Sequence, residues 1–435
     1  MLKILSENYL TRGFWGDEAW TMGISRLPIK EIITITGQDF HPPFYYLLVH
    51  YLGNLVGWER EVPIRLLSTF FFIFIPITTY QLIRLWLDTK KSSSHLEALT
   101  TSFLIATAPI LITYAFEARS YALLAFESIL SAYIFWRAKE EKRGSYLYRI
   151  LYFVLGGIMV YTHYYAWFIL ASHAFYLLFF ELKKLPRMLP PALGILTVQL
   201  PWLPTLFWQT SSVKNSYWIG PINERTHYEF FLRITGGDVT TPMQKYLAIL
   251  IATLVFVGIL RALFNRQFTL SHKFLLTWTI IPTLLPTLVS FVFMPVFFYR
   301  YLIFSAIPLL ILAVNALHKA PKWLFFLLTI VIGYLQLAVD YKIFSQYPKS
   351  MRETVQELYQ NKKESLPIYT VLPAFAEVAY YLPESYSVSP EGLIHFSGKS
   401  LLDAYVRLGL TKIKEPPVDE PYYFLTPEKT IELKN

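Results

Sequence analysis

The apolar residues of this chain are grouped into runs of about 20, the length of a helix that crosses the hydrocarbon core of a membrane. The first run covers 62–87, with FFFIFIPITTY at its centre. Further runs predict spans at about 97–116, 119–137, 146–163, 164–182, 188–208, 244–264, 274–295, 300–317 and 322–341. The pattern therefore predicts a mainly α, polytopic transmembrane helical bundle of about ten spans.

The region before the first span has a different pattern. Residues 1–40 are polar and are predicted to be irregular. Residues 41–57 place their apolar side chains on one helical face, with His50 and Asn54 on the other. Because such an amphipathic helix is typical of the membrane interface, we expect 41–57 to lie in the interface.

The chain after the last span has the composition of a small soluble domain. Met351, Val355 and Leu358 share one helical face, and Lys399–Gly409 is also predicted to be a helix. Pro367–Leu372 and Tyr422–Leu425 are predicted to be strands. We therefore expect a transmembrane domain over 61–341 and an outward-facing soluble α/β domain over 342–435.

Charge assigns a side to each connection. The 39 Lys and Arg against 30 Asp and Glu give a net charge of +9, and the basic residues fall in alternate loops: Lys90/Lys91, Arg137 to Arg143, Lys183 to Arg187, Arg261 to Lys273, and Lys319/Lys322. The positive-inside rule places these loops in the cytoplasm, and the N-terminal region and tail on the outer side of a cell membrane. The net charge is thus no indication of a nucleic-acid partner.

Composition agrees with a multi-pass membrane protein. Of the 435 residues, 54% are hydrophobic and 16% are charged, whereas soluble domains carry about 25% charge. The mean hydropathy is +0.39. The chain has no cysteine, which excludes disulfide and thiolate chemistry.

On this topology a set of ionisable residues gathers at the outer side. Charges at membrane depth are costly and usually functional, so the outer ends of the spans are the predicted active site. Its candidate residues are Asp17, Glu18, His41, Arg65, Glu117, Arg119, His163 and Arg300.

Asp17 and Glu18 are adjacent carboxylates between Trp15 and Trp20. One carboxylate can accept a proton from an incoming hydroxyl while the other, or a bound cation, tunes its pKa. In an extended segment the two side chains would point in opposite directions, so we expect separate duties for them. The alternative is a solvated acidic turn, which the flanking tryptophans make less favourable.

The other candidates each have a plain alternative. His41, held extended before two prolines, is a metal ligand, a donor to phosphate or sugar, or only a helix-entry residue. Glu117 and Arg119 form a structural ion pair, or Arg119 binds an anion. His163 is a catalyst or an interfacial anchor. Arg300, at the outer end of a late span, contacts a phosphate or extends to the interface.

Read in order, these motifs resemble one known group of enzymes. The residues are Gly16-Asp17-Glu18-Ala19, His41-Pro42-Pro43, Tyr45-Tyr46-Leu47-Leu48, Arg65-Leu66-Leu67-Ser68, Glu117 to Leu123, Tyr161 to Tyr165, and Arg300-Tyr301-Leu302. The order is similar to that of the GT-C membrane glycosyltransferases of the protein O-mannosyltransferase-like superfamily, which includes family 39 mannosyltransferases and aminoarabinose transferases. The resemblance covers about 10–340.

The resemblance implies a sugar donor on a polyprenyl phosphate, an outward catalytic loop over 1–60 and a general base at Asp17. It implies that Glu18, His41 and Arg119 shape the donor and acceptor pocket and that Arg300 meets the lipid phosphate. We expect the remaining motif residues to bind substrate or donor: Arg65, Glu117, Tyr121, His163 and Tyr301.

The chain departs from the family pattern in one respect. The family has a span before its Asp-Glu loop, whereas Met1 to Phe14 is too short and polar to cross a membrane. We therefore expect that first span to be missing here.

The predicted function is an inverting glycosyltransferase that moves a sugar from a polyprenyl-phosphate donor to a hydroxyl of an acceptor glycan, lipid or protein. The alternatives are a lipid-linked polysaccharide polymerase or ligase, and a transporter or flippase. A transporter would carry charges near span centres and repeated halves, and the span centres here look nearly free of charge. No cofactor is identified, and a divalent cation stays open.

Overall fold

The computed structural model describes residues 8–58, 60–87, 92–140, 144–213, 218–361, 366–371, 374–388, 396–413 and 420–434. Side chains are described for these residues except 213, 388 and 396–401. The expectation of a missing first span concerns residues 1–14, of which 1–7 lie outside the described part.

The N-terminal region is helical. It contains α1 (Gly16–Ser25), α2 (Ile29–Gly37) and α3 (Phe44–Val56). The prediction that 1–40 is irregular is therefore wrong. Both early helices form because they bury apolar residues such as Met22 and Ile32 in a shared cluster, a stabilisation that is not local in the sequence.

The predicted helix over 41–57 is confirmed as α3. It buries Tyr45, Tyr46 and Val49, whereas Leu55 is exposed on its opposite side. An exposed apolar face of this kind is suited to a membrane interface.

The membrane region follows with thirteen helices in the described residues. They are α4 (Glu61–Trp86), α5 (Ser92–Ala106), α6 (Pro109–Ala115), α7 (Tyr121–Ala138), α8 (Ser145–Thr162), α9 (Ala166–Phe180), α10 (Leu185–Gln199), α11 (Leu203–Val213), α12 (Thr226–Gly236), α13 (Pro242–Phe264), α14 (Leu270–Val292), α15 (Ala306–His318) and α16 (Lys322–Ser345). Short 3₁₀ turns lie at Leu182–Lys184, Leu200–Trp202 and Tyr299–Ser305.

Fewer of these helices than predicted are long and apolar enough to cross a membrane. Within the described residues five qualify: Glu61–Trp86, Pro242–Phe264, Leu270–Val292, Tyr299–His318 and Lys322–Ser345. Two bent pairs raise the count to seven, Ser92–Ala106 with Pro109–Ala115 at 56° and Ala166–Phe180 with Leu182–Ser212 at 119°. The prediction of ten spans differs by three. The predicted spans 164–182 and 188–208 count as one bent pair, and the 18-residue helices α7 and α8 contain Glu127, Arg137 and Arg149, which lower their hydropathy.

The C-terminal domain is α/β, as predicted. Its helices are α17 (Met351–Asn361), α18 (Phe375–Tyr381) and α19 (Phe396–Arg407). Its strands are β1 (Ile368–Val371), β2 (Tyr386–Val388), β3 (Thr411–Ile413), β4 (Tyr422–Leu425) and β5 (Ile431–Lys434). The sheet order is β3-β2-β1-β4-β5, with β5 antiparallel at the edge and the other pairs parallel.

Two large hydrophobic clusters organise the described chain. One lies within the helical bundle. The other contains Phe14, Ala19 and Met22 together with Phe375 and Tyr405 of the C-terminal domain. The two ends of the sequence therefore pack together. The boundaries at 60 and 341 stay a prediction.

Candidate active site

Asp17 and Arg300 form an ion pair. Asp17 is the second residue of α1, and its Oδ2 lies 2.9 Å from Arg300 Nη1. Arg300 lies in the 3₁₀ turn before α15, with its guanidinium 5.2 Å from the centre of the Trp15 ring. About a third of the Asp17 side chain is exposed, so this carboxylate is accessible from outside the protein. Residues 283 positions apart thus meet at one point.

Arg119 lies buried behind this pair. Its Nη1 donates to Asp17 O at 3.2 Å and to Thr21 Oγ1 at 3.1 Å. Its Nη2 lies 3.3 Å from His41 Nε2. In the described residues Arg119 makes no ion pair with Glu117, so the predicted structural pairing of those two is not observed, and Arg119 instead supports the α1 backbone.

His41 points into the site and is more than a helix-entry residue. It is 7% exposed, and its Nδ1 lies 3.3 Å from Asp39 Oδ2. Since Nε2 faces Arg119, the imidazole bridges a carboxylate and a guanidinium. Asp39, which the sequence did not single out, orients His41. The sequence could have suggested this pairing, because Asp39 lies only two residues before His41.

A wall of aromatic rings completes the site. Tyr121 lies under the Arg119 guanidinium at 5.6 Å. Tyr301 lies 6.0 Å from Tyr121 and 4.9 Å from His163, measured between ring centres. His163 is in turn 6.2 Å from His41. The predicted residues from four separate motifs therefore form one continuous surface.

Glu18 points away from Asp17 into a fully buried ion pair with Arg65. Its Oε1 accepts from Arg65 Nε at 2.8 Å and from Ala118 N at 2.9 Å, and Oε2 accepts from Arg65 Nη2 at 2.6 Å. Arg65 also donates to the carbonyls of Leu10, Arg12 and Gly13. Burial alone would raise the pKa of Glu18, but the Arg65 charge and hydrogen bonds lower it below its ordinary value.

The two carboxylates thus point in different directions, as predicted, although on a helix and not on an extended segment. Their separate duties stay a prediction. Successive helical residues are about 100° apart, so one side chain turns towards Arg300 while its neighbour turns into the core.

Glu117 is a buried carboxyl in the connection between α6 and α7. It is 7% exposed, and among the described residues its Oε2 has no hydrogen-bond partner. Burial, followed by the charge of Glu18, raises the pKa of Glu117 to about 7, although Arg300 and Arg12 oppose this. Glu117 therefore changes its charge near neutral pH.

Two cavities adjoin the cluster. The first, about 220 Å³, has a partly polar lining that includes Arg12, Trp15, Glu117, Asp238 and Lys429. The second, about 200 Å³, has a mostly apolar lining that includes Phe40, His41, His163, Phe168, Val289, Met294 and Tyr301. Arg300 covers Trp15 of the first cavity, and Arg119 contacts His41 of the second. The Asp17–Arg300 pair and Arg119 thus neighbour the two cavities, although they are not among the lining residues.

No group of three or more His, Asp or Glu that could hold a metal ion occurs within the described ranges. The divalent cation therefore stays a prediction.

The bundle also contains buried polar groups that the sequence analysis overlooked. Glu127 of α7 is 1% exposed and accepts from Thr162 Oγ1 at 2.8 Å. His173 of α9 lies 3.0 Å from the Tyr152 hydroxyl. The expectation of nearly charge-free span centres is therefore wrong at α7, because a carboxyl is tolerated there with a hydroxyl partner from the next helix.

Known proteins share this architecture. Residues 40–208 match the model of a family described as dolichyl-phosphate-mannose-protein mannosyltransferase. The structure is similar to ArnT from Cupriavidus metallidurans in the apo state, with a TM-score of 0.62 and 13% identity over 96% of this chain and 89% of that one. This chain has the GT-C fold.

Two further solved structures share the GT-C fold. ArnT from Cupriavidus metallidurans bound to undecaprenyl phosphate gives a TM-score of 0.62, with 14% identity over 96% of this chain and 90% of that one. The Archaeoglobus fulgidus oligosaccharyltransferase in complex with Zn and sulfate gives 0.52, with 11% identity over 95% and 64%. No curated protein sequence matches. The resemblance to GT-C membrane glycosyltransferases predicted from the sequence is confirmed.

Proposed function

We propose that this protein is a membrane glycosyltransferase that transfers a sugar from a polyprenyl-phosphate donor to an acceptor hydroxyl at the outer face of the membrane. The observation that carries the proposal is the pairing of an accessible carboxylate, Asp17, with a guanidinium, Arg300, close to two cavities. Transfer from a lipid phosphate requires a base for the attacking hydroxyl and a cation for the departing phosphate. Asp17 and Arg300 are groups of these two kinds.

Unused hydrogen-bond donors support an anionic ligand at this point. Arg300 Nε and Arg119 Nε are both buried and have no acceptor among the described residues. A buried donor without a partner is costly, and a phosphate oxygen would relieve that cost. A bound phosphate would also compete for Arg300, which would free the Asp17 carboxylate for an acceptor.

The proposed reaction proceeds with inversion. Asp17 takes the proton of the acceptor hydroxyl while that oxygen forms a bond to the anomeric carbon. The bond from this carbon to the phosphate oxygen breaks, and its electron pair leaves with the polyprenyl phosphate. Arg300, with Arg119 behind it, stabilises the charge that develops on the phosphate.

The cavities suit the two substrates in different ways. The mostly apolar second cavity would take the donor beside its lipid chain, against His41, His163 and Tyr301. The more polar first cavity would take the acceptor, next to Trp15 and Glu117. Glu18 and Arg65 then act as positioning residues, because their charged atoms are buried in their own ion pair.

The test uses the full-length protein in liposomes with undecaprenyl phosphate sugars as donors and undecaprenyl phosphate itself as the binding probe. Asp17→Asn keeps the shape of the side chain but cannot accept a proton, so turnover should fall by about 10²–10⁴-fold with no loss of probe affinity. Arg300→Ala should weaken probe binding more than Arg300→Lys, because lysine keeps the charge without the planar fork.

Asp403→Asn is the matched control, since it removes an exposed carboxylate in α19. Near wild-type turnover in Asp17→Asn would refute the assignment of the base. Probe movement across the bilayer without sugar transfer would instead indicate a flippase.

A further inference from the structure

The C-terminal domain holds the backbone of α1 on both sides of Asp17. Glu377 Oε1 accepts from Gly16 N at 2.9 Å, and the Tyr381 hydroxyl accepts from Phe14 N at 2.7 Å. The Tyr405 hydroxyl donates to Ala19 O at 2.6 Å. All three bonds involve main-chain atoms, so they set the position of Asp17 without contacting its side chain.

The packing at this contact leaves no room for adjustment. A Cβ added at Gly13 would lie 2.8 Å from Arg352 Cβ, and one added at Gly23 would lie 2.6 Å from the Tyr405 ring. These distances are shorter than non-bonded carbon atoms allow. The chain therefore approaches the C-terminal domain too closely at Gly13 and Gly23 for a larger residue to fit without a shift of its neighbours.

Lys429 holds Glu377 from the other side. Its Nζ lies 3.3 Å from Glu377 Oε2, and both side chains are mostly buried. Lys429 lies in the turn between β4 and β5 with a φ of 62°, a left-handed conformation that normally favours glycine. Glycine would adopt this backbone conformation at a lower cost than lysine. The ion pair between the Lys429 ammonium group and Glu377 explains why a lysine is found there.

We infer that Glu377, held by Lys429, is a positioning residue for the glycosyl transfer, which fixes the start of α1 so that Asp17 faces Arg300. The inference rests on the proposed function. A carboxylate at a helix N-terminus is favourable because the free N–H groups there carry partial positive charge. A shift of about 1 Å in a reacting group lowers a rate by about 10²-fold, so a loosened helix start slows turnover without removing any chemical group.

The experiment compares two Glu377 variants in the full-length protein in liposomes. Glu377→Leu removes the acceptor for Gly16 N, and kcat should fall by up to about 10²-fold while undecaprenyl phosphate affinity and KM stay unchanged. Glu377→Gln keeps an oxygen for that N–H and should retain most of the rate. Glu357→Leu is the matched control, because Glu357 forms an exposed ion pair with Lys349 in the same domain.

Lys429→Gly separates positioning from folding. Glycine relieves the left-handed conformation and removes the ammonium group. Relief of the left-handed backbone offsets the cost of leaving the mostly buried Glu377 carboxyl without its counter-charge, so the thermal midpoint should change little while kcat falls. A merely structural role for Lys429 predicts no such separation of the two quantities.

A double variant tests whether Glu377 acts through Asp17. If it does, Glu377→Leu should cause no further loss in an Asp17→Asn background. Wild-type kcat in Glu377→Leu, an equal fall in kcat and probe affinity, or a full additional loss in the double variant would overturn the inference. If Asp17→Asn is inactive and Glu377→Leu is normal, only the positioning role fails. If Asp17→Asn transfers sugar normally, the proposed base fails as well.

Discussion

Replacing Glu18 by glutamine should destabilise the protein, whereas the same kind of change at its neighbour Asp17 should not. Glu18 is fully buried, and its two oxygens accept from Arg65 Nε, Arg65 Nη2 and Ala118 N. Glutamine retains one acceptor oxygen but leaves the Arg65 guanidinium without a counter-charge. The cost of breaking a buried ion pair is roughly 3–5 kcal/mol. Because one acceptor remains, we expect about 3 kcal/mol, the lower end of that range.

The remaining contacts of Arg65 predict what a second change would do. Buried ion pairs can often be exchanged for apolar residues without loss. Here, however, Arg65 also satisfies the carbonyls of Leu10, Arg12 and Gly13. Each of these carbonyls would lose a partner in Arg65→Met, at roughly 1–3 kcal/mol for each buried unsatisfied group. The double variant Glu18→Leu/Arg65→Met should therefore not recover stability.

Unfolding equilibria in mixed micelles, followed as a function of pH, measure both effects. The folded-state pKa of Glu18 is lowered, so the pair stabilises the protein above the ordinary glutamate pKa of 4.5. That stability is lost as the pH falls through the lower folded-state pKa, and Glu18→Gln should lack this dependence. The reasoning would be refuted if Glu18→Gln were as stable as the wild type but lost turnover to the extent expected of Asp17→Asn.

Two further outcomes follow from burial and charge. Glu117 has a folded-state pKa of about 7 against 4.5 unfolded, so stability should decrease as the pH rises from 4.5 to 7, by at most about 3 kcal/mol. Glu117→Gln should abolish this slope in thermal unfolding, and an unchanged slope would contradict the assignment. Because the chain has no cysteine, Ser93→Cys should be labelled only from the cytoplasm and Ser212→Cys only from outside. Labelling of Ser212→Cys from the cytoplasm would reverse the proposed sidedness.

Hydropathy predicted most of the membrane helices, because a helix that crosses a membrane is encoded by a continuous apolar run in the sequence. The helix α1 was missed because Met22 and Ile24 are buried in a cluster that includes Phe375 and Tyr405 of the C-terminal domain, far away in the sequence. The spacing of apolar residues in 16–25 does not predict that contact.

The ionisable residues of the candidate site were predicted from topology, since alternate loops lie on one side of a membrane, and Tyr121 and Tyr301 from the resemblance. Their individual contacts could not be found in that way. Which of Asp17 and Glu18 turns inward depends on the rotation of α1, and that rotation is set by Arg65 and Tyr405. The pairing of Asp39 with His41 likewise depends on how the chain bends before α3.

The contacts between α1 and the C-terminal domain can form only late in the synthesis of the chain. Tyr405 and Ala19 are 386 residues apart, and Glu377 and Gly16 are 361 apart. Since a ribosome makes the chain from its N-terminus, the membrane helices emerge long before the side chains that hold α1. The membrane helices of a nascent chain can therefore enter the bilayer before the C-terminal domain fixes the position of Asp17. On the proposed function, sugar transfer from a lipid-linked donor would begin only when translation is almost complete.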